Sequence, residues 1–320
     1  MGASPWMDLR VHTIRYEARD VRSFELRAPD GAALPPFTAG AHIDVQLPGG
    51  MERSYSLLNP TDSAASFRIG VQRSPDSRGG SAYLVDQVRV GDLLQVSAPR
   101  NSFELHEDAR LTVMIAGGIG ITPLWAMTQR LEALHRPWKL YYACRTRDRA
   151  AFLTELNQLE QAGPGRVVTT FDAEPGQSPL PLARIVAEQP DDVHLYCCGP
   201  ATLLKAFEQT AAERRTGTVH TEYFASDQPS ARGGFEVVLA RSGQTVLVPE
   251  NRSILETLMA LGYDLPHSCM SGVCGSCETV VLEGRPDHRD HVLSVREKAS
   301  NQKMMICCSG SFDNRLVLDL

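Results

Sequence analysis

The chain has 320 residues, 42% of them hydrophobic, with a formal charge of -6 and eight cysteines. That length suggests two or three domains with real cores, and an acidic balance without any basic run excludes a general nucleic-acid role. No apolar run approaches the ~20 residues of a membrane span, and the opening "MGASPWMDLR" lacks the long apolar core of a secretory signal. The expectation is a cytoplasmic, monomeric protein off the membrane, whose cysteines are ligands, reactive thiols or core residues rather than disulfides.

Residues 9 to 104 read as short strands. "VRSFELRA", "HIDVQLPGG" and "SFRIGVQR" are alternating runs broken by Gly, Pro, Asp and Ser, a pattern that suits an antiparallel barrel or sandwich. From about residue 110 the rhythm changes. Apolar "LTVMIAGG" precedes a helical pattern, "TPLWAMTQRLEALH", and then strand-like and helix-like runs alternate through "KLYYACR", "AAFLTELNQLE", "RVVTTFD", "PLARIVAEQ" and "VHLYCCGP". Such alternation predicts a parallel sheet covered on both faces. The small, polar "ASDQPSARGG", residues 225 to 234, reads as a linker. Strands resume in "FEVVLARSGQTVLVP", with Ser242-Gly243 at a hairpin turn. A short helix, "RSILETLMALG", ends at Gly262 as a C-cap.

"SCMSGVCGSC" places Cys269, Cys274 and Cys277 in a C-x4-C-x2-C array, and "MMICCSG" supplies Cys307. One distant cysteine after such an array is the plant-type 2Fe–2S pattern. A zinc site presents two close pairs, and here one ligand stands alone after a first gap of four residues. The small residues fit the chemistry, because Gly272, Gly275, Ser271 and Ser276 let backbone N–H groups approach a negatively charged cluster. Cys308 sits beside Cys307. If both lay on a strand their side chains would point opposite ways, and the spacing selects Cys307. Residues 234 to 320 resemble plant-type ferredoxins, which implies a β-grasp fold.

Three more motifs lie upstream. "ERSYSLLNP" offers Arg53, Tyr55 and Ser56, a cation, a flat ring and a hydroxyl; alone it also reads as an ordinary strand with a surface arginine. "IAGGIGITP" opens a helix after a strand. Gly117, Gly118 and Gly120 permit a tight turn and close phosphate approach, with Pro123 at the first helical position, although the G-x-G-x-x-G fingerprint is not met. "YCCGP" follows a later strand; alone, Cys197 and Cys198 read equally as small core residues. In this order the three motifs resemble the ferredoxin–NADP reductase superfamily. With the ferredoxin segment at the C-terminus, nearly the whole chain resembles the phthalate dioxygenase reductase family.

The resemblance implies a division into an antiparallel β-barrel flavin domain (1–104), an α/β parallel-sheet NAD domain (105–225), a linker (226–233) and an α+β β-grasp 2Fe–2S domain (234–320). It implies that Arg53, Ser54, Tyr55 and Ser56 bind the flavin, with Tyr55 on the ring and Ser56 near its reactive nitrogen. It extends the flavin site to Gly70, Val71, Gln72, Gly79, Gly80 and Ser81, with Arg73 or Arg78 adding charge. Gly117, Gly118, Gly120, Thr122 and Pro123 become the nucleotide site. Cys198, Gly199 and Pro200 lie beside the nicotinamide, Ser56 and Cys198 are the residues nearest the chemistry, and Phe224 covers the flavin. Family members of this layout use FMN. The implied function is electron flow from NADH through FMN and the cluster to a separate Rieske-type terminal oxygenase of aromatic-acid or related catabolism. The alternatives are a reductase for another acceptor, such as a P450, and a non-enzymatic ferredoxin-like carrier. Asp172, with Glu174 nearby, predicts NADH over NADPH by repelling a 2′-phosphate, and Arg145 is expected on the pyrophosphate side.

Overall fold

A computed structural model describes residues 6–59, 65–75, 79–163, 165–224, 230–267 and 269–320. Arg78 and the first part of the expected linker lie outside the described residues. The chain divides into two compact units, one ending at Glu222 and one running Tyr223–Leu320.

The first unit begins with six strands: β1 (Met7–Ala18), β2 (Val21–Arg27), β3 (His42–Leu47), β4 (Met51–Ser56), β5 (Phe67–Gln72) and β6 (Leu93–Val96). A short helix, α1 (Gly80–Asp86), separates the last two. The sheet order is β4-β3-β6-β1-β2-β5, with antiparallel pairing. A bridge between Leu57 and Ile69 joins the two edge strands at one end and closes the sheet toward a barrel. Alternation drives this closure. In β2 Phe24 and Leu26 are buried while Arg27 faces water, so one face of the sheet must find apolar cover. It finds it in Val11, Ile43, Val45, Phe67, Ile69 and Val96, which form one core.

The rest of this unit is a five-stranded parallel sheet. Its strands are β7 (Thr112–Gly117), β8 (Trp138–Cys144), β9 (Val167–Phe171), β10 (His194–Cys198) and β11 (Val219–Glu222), in the order β11-β10-β7-β8-β9. Helices α2 (Ile121–Ala133), α3 (Leu153–Ala162), α4 (Leu182–Ala187) and α5 (Ala201–Thr210) connect them. All six residues of β7 are buried, as a central parallel strand requires. The strand order reverses between β7 and β10, the topological switch point at which such sheets open a crevice at their carboxyl edge. Helix α2 starts at Ile121, two residues before the start expected at Pro123. The proline sits in the first turn, where its missing N–H costs nothing.

The barrel and the parallel sheet share a core, in which Ala18, Val21, Ala39 and Leu58 pack with Phe103, Met127 and Tyr196. Arg19 N donates to Asp148 O at 2.7 Å, and Gln129 Nε2 donates to Leu58 O at 2.6 Å.

The second unit contains β12 (Phe235–Leu239), β13 (Gln244–Val248), α6 (Ile254–Ala260), β14 (Glu278–Glu283), β15 (Pro286–Asp287), α7 (Val295–Ser300), β16 (Lys303–Met305), β17 (Gly310–Ser311) and β18 (Arg315–Leu318). The main sheet runs β13-β12-β18-β14-β16, with β12 and β18 parallel at its centre, and β15 pairs with β17. The β12–β13 hairpin turns through Gly243 at φ 72°. Helix α6 is fixed at both ends. Ser253 and Glu256 form a reciprocal capping box, and Gly262 follows the helix at φ 90°. Ile254, Leu255 and Leu258 of the helix enter the sheet core. No helix among the described residues is long and apolar enough to cross a membrane.

Candidate functional site

The carboxyl edge of the parallel sheet gathers the nucleotide motifs. Parallel register places Cys198 beside Ala116, Gly117 beside Ala143, and Cys144 beside Phe171. The turns after β10, β7, β8 and β9 therefore follow one another along the edge and carry Cys198–Pro200, Gly117–Gly120, Arg145 and Asp172 in that order. The glycines do different work. A Cβ at Gly120 would lie 2.2 Å from Cys198 O, and one at Gly117 would lie 2.7 Å from Pro200 Cδ. These two positions let the two turns meet backbone to backbone, with Gly199 supplying the reciprocal gap 3.0 Å from Gly117 Cα. Gly118, at φ 53°, faces open space. It leaves room for a phosphate before the thirteen-residue helix α2. Thr122 is buried, and its hydroxyl donates to Ile119 O at 2.9 Å. Its methyl faces Gly70 of β5, where a Cβ would lie 2.7 Å away. Gly70 and Thr122 thus meet each other and join the barrel to the nucleotide turn.

Glu222 is the residue that sequence reasoning missed. It ends β11 in register with Cys198, whose Sγ–H points at its Oε2 from 3.9 Å. Its accessible area is that of a half-buried residue, yet protein crowds its carboxyl on every side. The crowding governs its titration: burial raises its pKa to about 8, against a smaller opposing effect of the Cys198 thiol. Burial likewise pushes the Cys197 and Cys198 thiols up, so neither is a ready thiolate. No sequence signal marks it, because only the β11–β10 pairing makes it a neighbour of the C-G-P turn.

On β4 alternation sends Arg53 and Tyr55 to one face and Ser54 and Ser56 to the other. Burial raises the Tyr55 phenol well above its ordinary range, against the lowering effect of Arg53. The Arg53 side chain runs along Gly80, where a Cβ would meet its Cγ at 2.9 Å, and Gly79 enters α1 at φ 100°. Arg53 and Tyr55 therefore share a face that reaches the Gly79–Gly80 turn, a cradle that side chains on the glycines would fill. Ser54 Oγ donates to the buried Asp44 at 2.7 Å, and Ser56 is buried at the strand end. On β5 Val71 is buried and Gln72 half-buried. Ser81 Oγ accepts from Ser74 N at 3.1 Å, and Arg73 is held by Asp86 at 2.8 Å. Phe224 is 40% exposed.

In the second unit the loop from Cys269 to Cys277 brings its thiols together with Cys307. The Cys269 sulfur contacts those of Cys274 and Cys307, and Cys277 contacts Cys307. Ser271 N and Val273 N each donate to Cys269 Sγ at 3.4 Å, and Cys269 N donates to Cys274 Sγ at 3.5 Å. The neighbouring thiols, followed by these N–H groups, hold Cys269 below the usual thiol range. Gly272 and Gly275, at φ 72° and 77°, give the loop its curvature. Cys274 is the least buried of the four thiols. Converging thiols with N–H donors already aimed at sulfur fit a four-thiolate iron–sulfur cluster.

Cys307 and Cys308 lie in the turn after β16, not on the strand assumed from the sequence. Cys308 Sγ packs against Gly272, where a Cβ would lie 2.5 Å from it. Its other neighbours are the Cys307 thiol and, each at 3.8 Å, Met305 O and Ser309 Oγ.

Family models match in the same order: an oxidoreductase FAD-binding domain over residues 8–105, an oxidoreductase NAD-binding domain over 114–209, and a 2Fe–2S iron–sulfur cluster binding domain over 237–310. The solved structure of phthalate dioxygenase reductase, described as modular for electron transfer from pyridine nucleotides to 2Fe–2S, is 38% identical with a TM-score of 0.79, over 98% of both chains. The chain belongs to the phthalate dioxygenase reductase family. It is also similar to phenoxybenzoate dioxygenase subunit beta of Ectopseudomonas oleovorans, 52% identical over 98% of this chain and 97% of that one. A third relative, tetrachlorobenzoquinone reductase of Sphingobium chlorophenolicum, is 47% identical over 98% of each chain. This reductase is an oxidoreductase with flavin, NAD and 2Fe–2S domains in one chain.

The loop geometry sets a test for the two adjacent cysteines. Cys307→Ser is expected to lose the cluster, measured as iron content and visible absorbance, while Cys308→Ser keeps it. Retention in Cys307→Ser together with loss in Cys308→Ser would reverse the ligand assignment.

Proposed function

We propose that this reductase takes hydride from NADH at the carboxyl edge of the parallel sheet and delivers single electrons, through FMN and the 2Fe–2S cluster, to a separate Rieske-type terminal oxygenase. The observation that carries this reading is the contact of Gly70 with Thr122. It joins the strand bearing the expected flavin segment to the turn bearing the expected nucleotide segment, as direct hydride transfer between two ligands requires. A flavin, when bound, accepts a two-electron hydride and releases electrons singly, which a one-electron cluster needs.

The chain's residues have positioning roles in this scheme. The Gly117–Gly120 turn takes the pyrophosphate, with Pro123 in the following helical turn and Arg145 beside it. Cys198, Gly199 and Pro200 shape the nicotinamide side. Tyr55 packs on the flavin ring with Ser56 near its reactive nitrogen, and Ser54, Val71 and Gln72 hold the surrounding backbone. Arg53, Gly79, Gly80 and Ser81 receive the flavin phosphate. Residues 1–104, 105–225 and 234–320 divide the work among flavin, nucleotide and cluster, with 226–233 as linker. Cys269, Cys274, Cys277 and Cys307 ligate the iron. The protein acts as a single chain. The use of FMN follows the family resemblance, and the Gly79–Ser81 turn suits a terminal phosphate. The names of the dioxygenase relatives support an oxygenase acceptor. The tetrachlorobenzoquinone reductase name makes a quinone the control acceptor.

The half-reactions separate experimentally. A variant lacking residues 234–320 is expected to reduce ferricyanide with NADH and to support no Rieske oxygenase. Failure to oxidise NADH would overturn the division of labour. A full-length protein that reduces a quinone but none of the Rieske oxygenases encoded near it would overturn the acceptor.

Nucleotide choice rests on Asp172. Glu174 Oε1 accepts from Arg147 N at 2.7 Å, and the Arg147 guanidinium lies over Phe171 at 4.5 Å. Both of these charged residues are engaged in the turn itself, whereas Asp172 stands exposed at the end of β9. Its carboxylate suits the ribose hydroxyls and opposes a 2′-phosphate. Asp172→Ser is expected to shift the NADH-to-NADPH ratio of kcat/KM toward NADPH by about tenfold, or ~1.4 kcal/mol. An unchanged ratio would remove Asp172 from cofactor selection.

A further inference from the structure

Three histidines meet at the edge of the parallel sheet opposite the nucleotide turns. His194 is the first residue of β10, His220 lies in β11, and His106 is on the segment that leaves the barrel for β7. One ring nitrogen from each lies within 4.8 Å of the other two. Three points so close share a centre no more than about 2.8 Å from each, against about 2.0–2.1 Å for a zinc–nitrogen bond. Small ring rotations close that difference. Nothing in the electron-transfer reading uses these residues.

The surroundings hold the trio in place. Tyr196 stacks on His220 with ring centroids 4.3 Å apart. The Tyr196 hydroxyl accepts from His106 N at 2.9 Å and donates to Glu104 O at 3.0 Å, fixing the His106 segment from both sides. His194 Nδ1 and His220 Nε2 approach to 3.0 Å. Burial, followed by the other histidines of the cluster, lowers His220 to about 4. Burial, followed by His106 and Arg215, also lowers His194. Asp192 lines the same depression as His106 and His194, with Glu107, Asp108 and Arg110 around it. Arg110 pairs with Asp192 at 3.7 Å.

We propose that His106, His194 and His220 form a binding site for a divalent transition-metal ion of the zinc class, with water completing the coordination. Imidazole-rich sites select such ions over magnesium or calcium. The ion would fasten three separate pieces of chain: the connector from the barrel, the start of β10, and β11. Its role is structural, because the site lies at the amino end of strands whose carboxyl ends carry the nucleotide turns.

The test uses tag-free, full-length holoprotein dialysed against metal-free buffer, with Zn2+ as the probe. Bound zinc is counted by elemental analysis after equilibrium dialysis, with cluster iron followed in parallel. His106→Ala removes an exposed ring and leaves the core untouched, and His194→Gln is the second variant. Wild type is expected to hold one more equivalent of zinc than either variant, and its Tm to rise with Zn2+ where theirs does not. NADH–ferricyanide activity is expected to be the same in all three proteins. Equal zinc stoichiometry and equal Tm response in wild type and both variants would overturn the site and leave a cluster of packed rings with one hydrogen bond, between His194 and His220.

Discussion

The arrangement of the nucleotide edge depends on one steric constraint: two turns of the parallel sheet touch through their backbones. Gly120 has no Cβ because Cys198 O would lie 2.2 Å from it, and Gly117 and Gly199 interlock in the same way. The contact closes the switch point between β7 and β10 and brings the G-G-x-G and C-G-P turns into one surface. Two motifs about eighty residues apart are thus one structural object. An added methyl at such a contact forces backbone to move, typically at about 1–3 kcal/mol, and here it would also displace Cys198. The next link outward is Thr122 against Gly70, which ties this surface to β5. Positional accuracy between two bound ligands then comes from packed backbone rather than from flexible side chains.

The second unit solves a different problem. Four thiolates around iron concentrate negative charge, and the loop answers with N–H groups aimed at sulfur before any metal is considered. Left-handed backbone at Gly272 and Gly275 makes this possible. Gly272 has a further constraint, since its missing side chain makes room for Cys308 Sγ. A small residue is required there on two grounds, curvature above and packing beneath. The Glu222–Cys198 pair in the first unit shows the opposite electrostatics. It is a carboxyl titrating near 8 beside an unionised thiol, which places a largely neutral pair at the nicotinamide side of the proposed site.

Much of this was legible in the sequence because it depends on local periodicity and spacing. The alternation of β2, β3 and β5, the strand–helix rhythm from β7 onward, and the cysteine spacing all predicted what the chain forms. What was not legible depends on sheet order. Glu222 neighbours Cys198 only because β11 lies beside β10, and the three histidines meet only because β10, β11 and the β6–β7 connector converge. The spacing predicts tight turning and phosphate approach at these glycines, but not that Gly117 and Gly120 also pack against the turn after β10 while Gly118 faces open space. Helices α5 and α7 are not legible in this way, because α5 follows a motif that ends the pattern and α7 is short. Cys307 and Cys308 are expected on a strand, and they lie instead in the turn after β16.

The central claim is the order of electron flow, and anaerobic stopped-flow absorbance tests it most directly. Oxidised full-length protein is mixed with NADH, and the flavin and cluster bands are followed separately, with the Cys307→Ser protein run alongside. The account predicts a fast loss of flavin absorbance that precedes cluster bleaching, and the same fast phase without the second in Cys307→Ser. Cluster bleaching that precedes or accompanies the flavin phase, or loss of the flavin phase in a Cys307→Ser protein that still binds flavin, would contradict it.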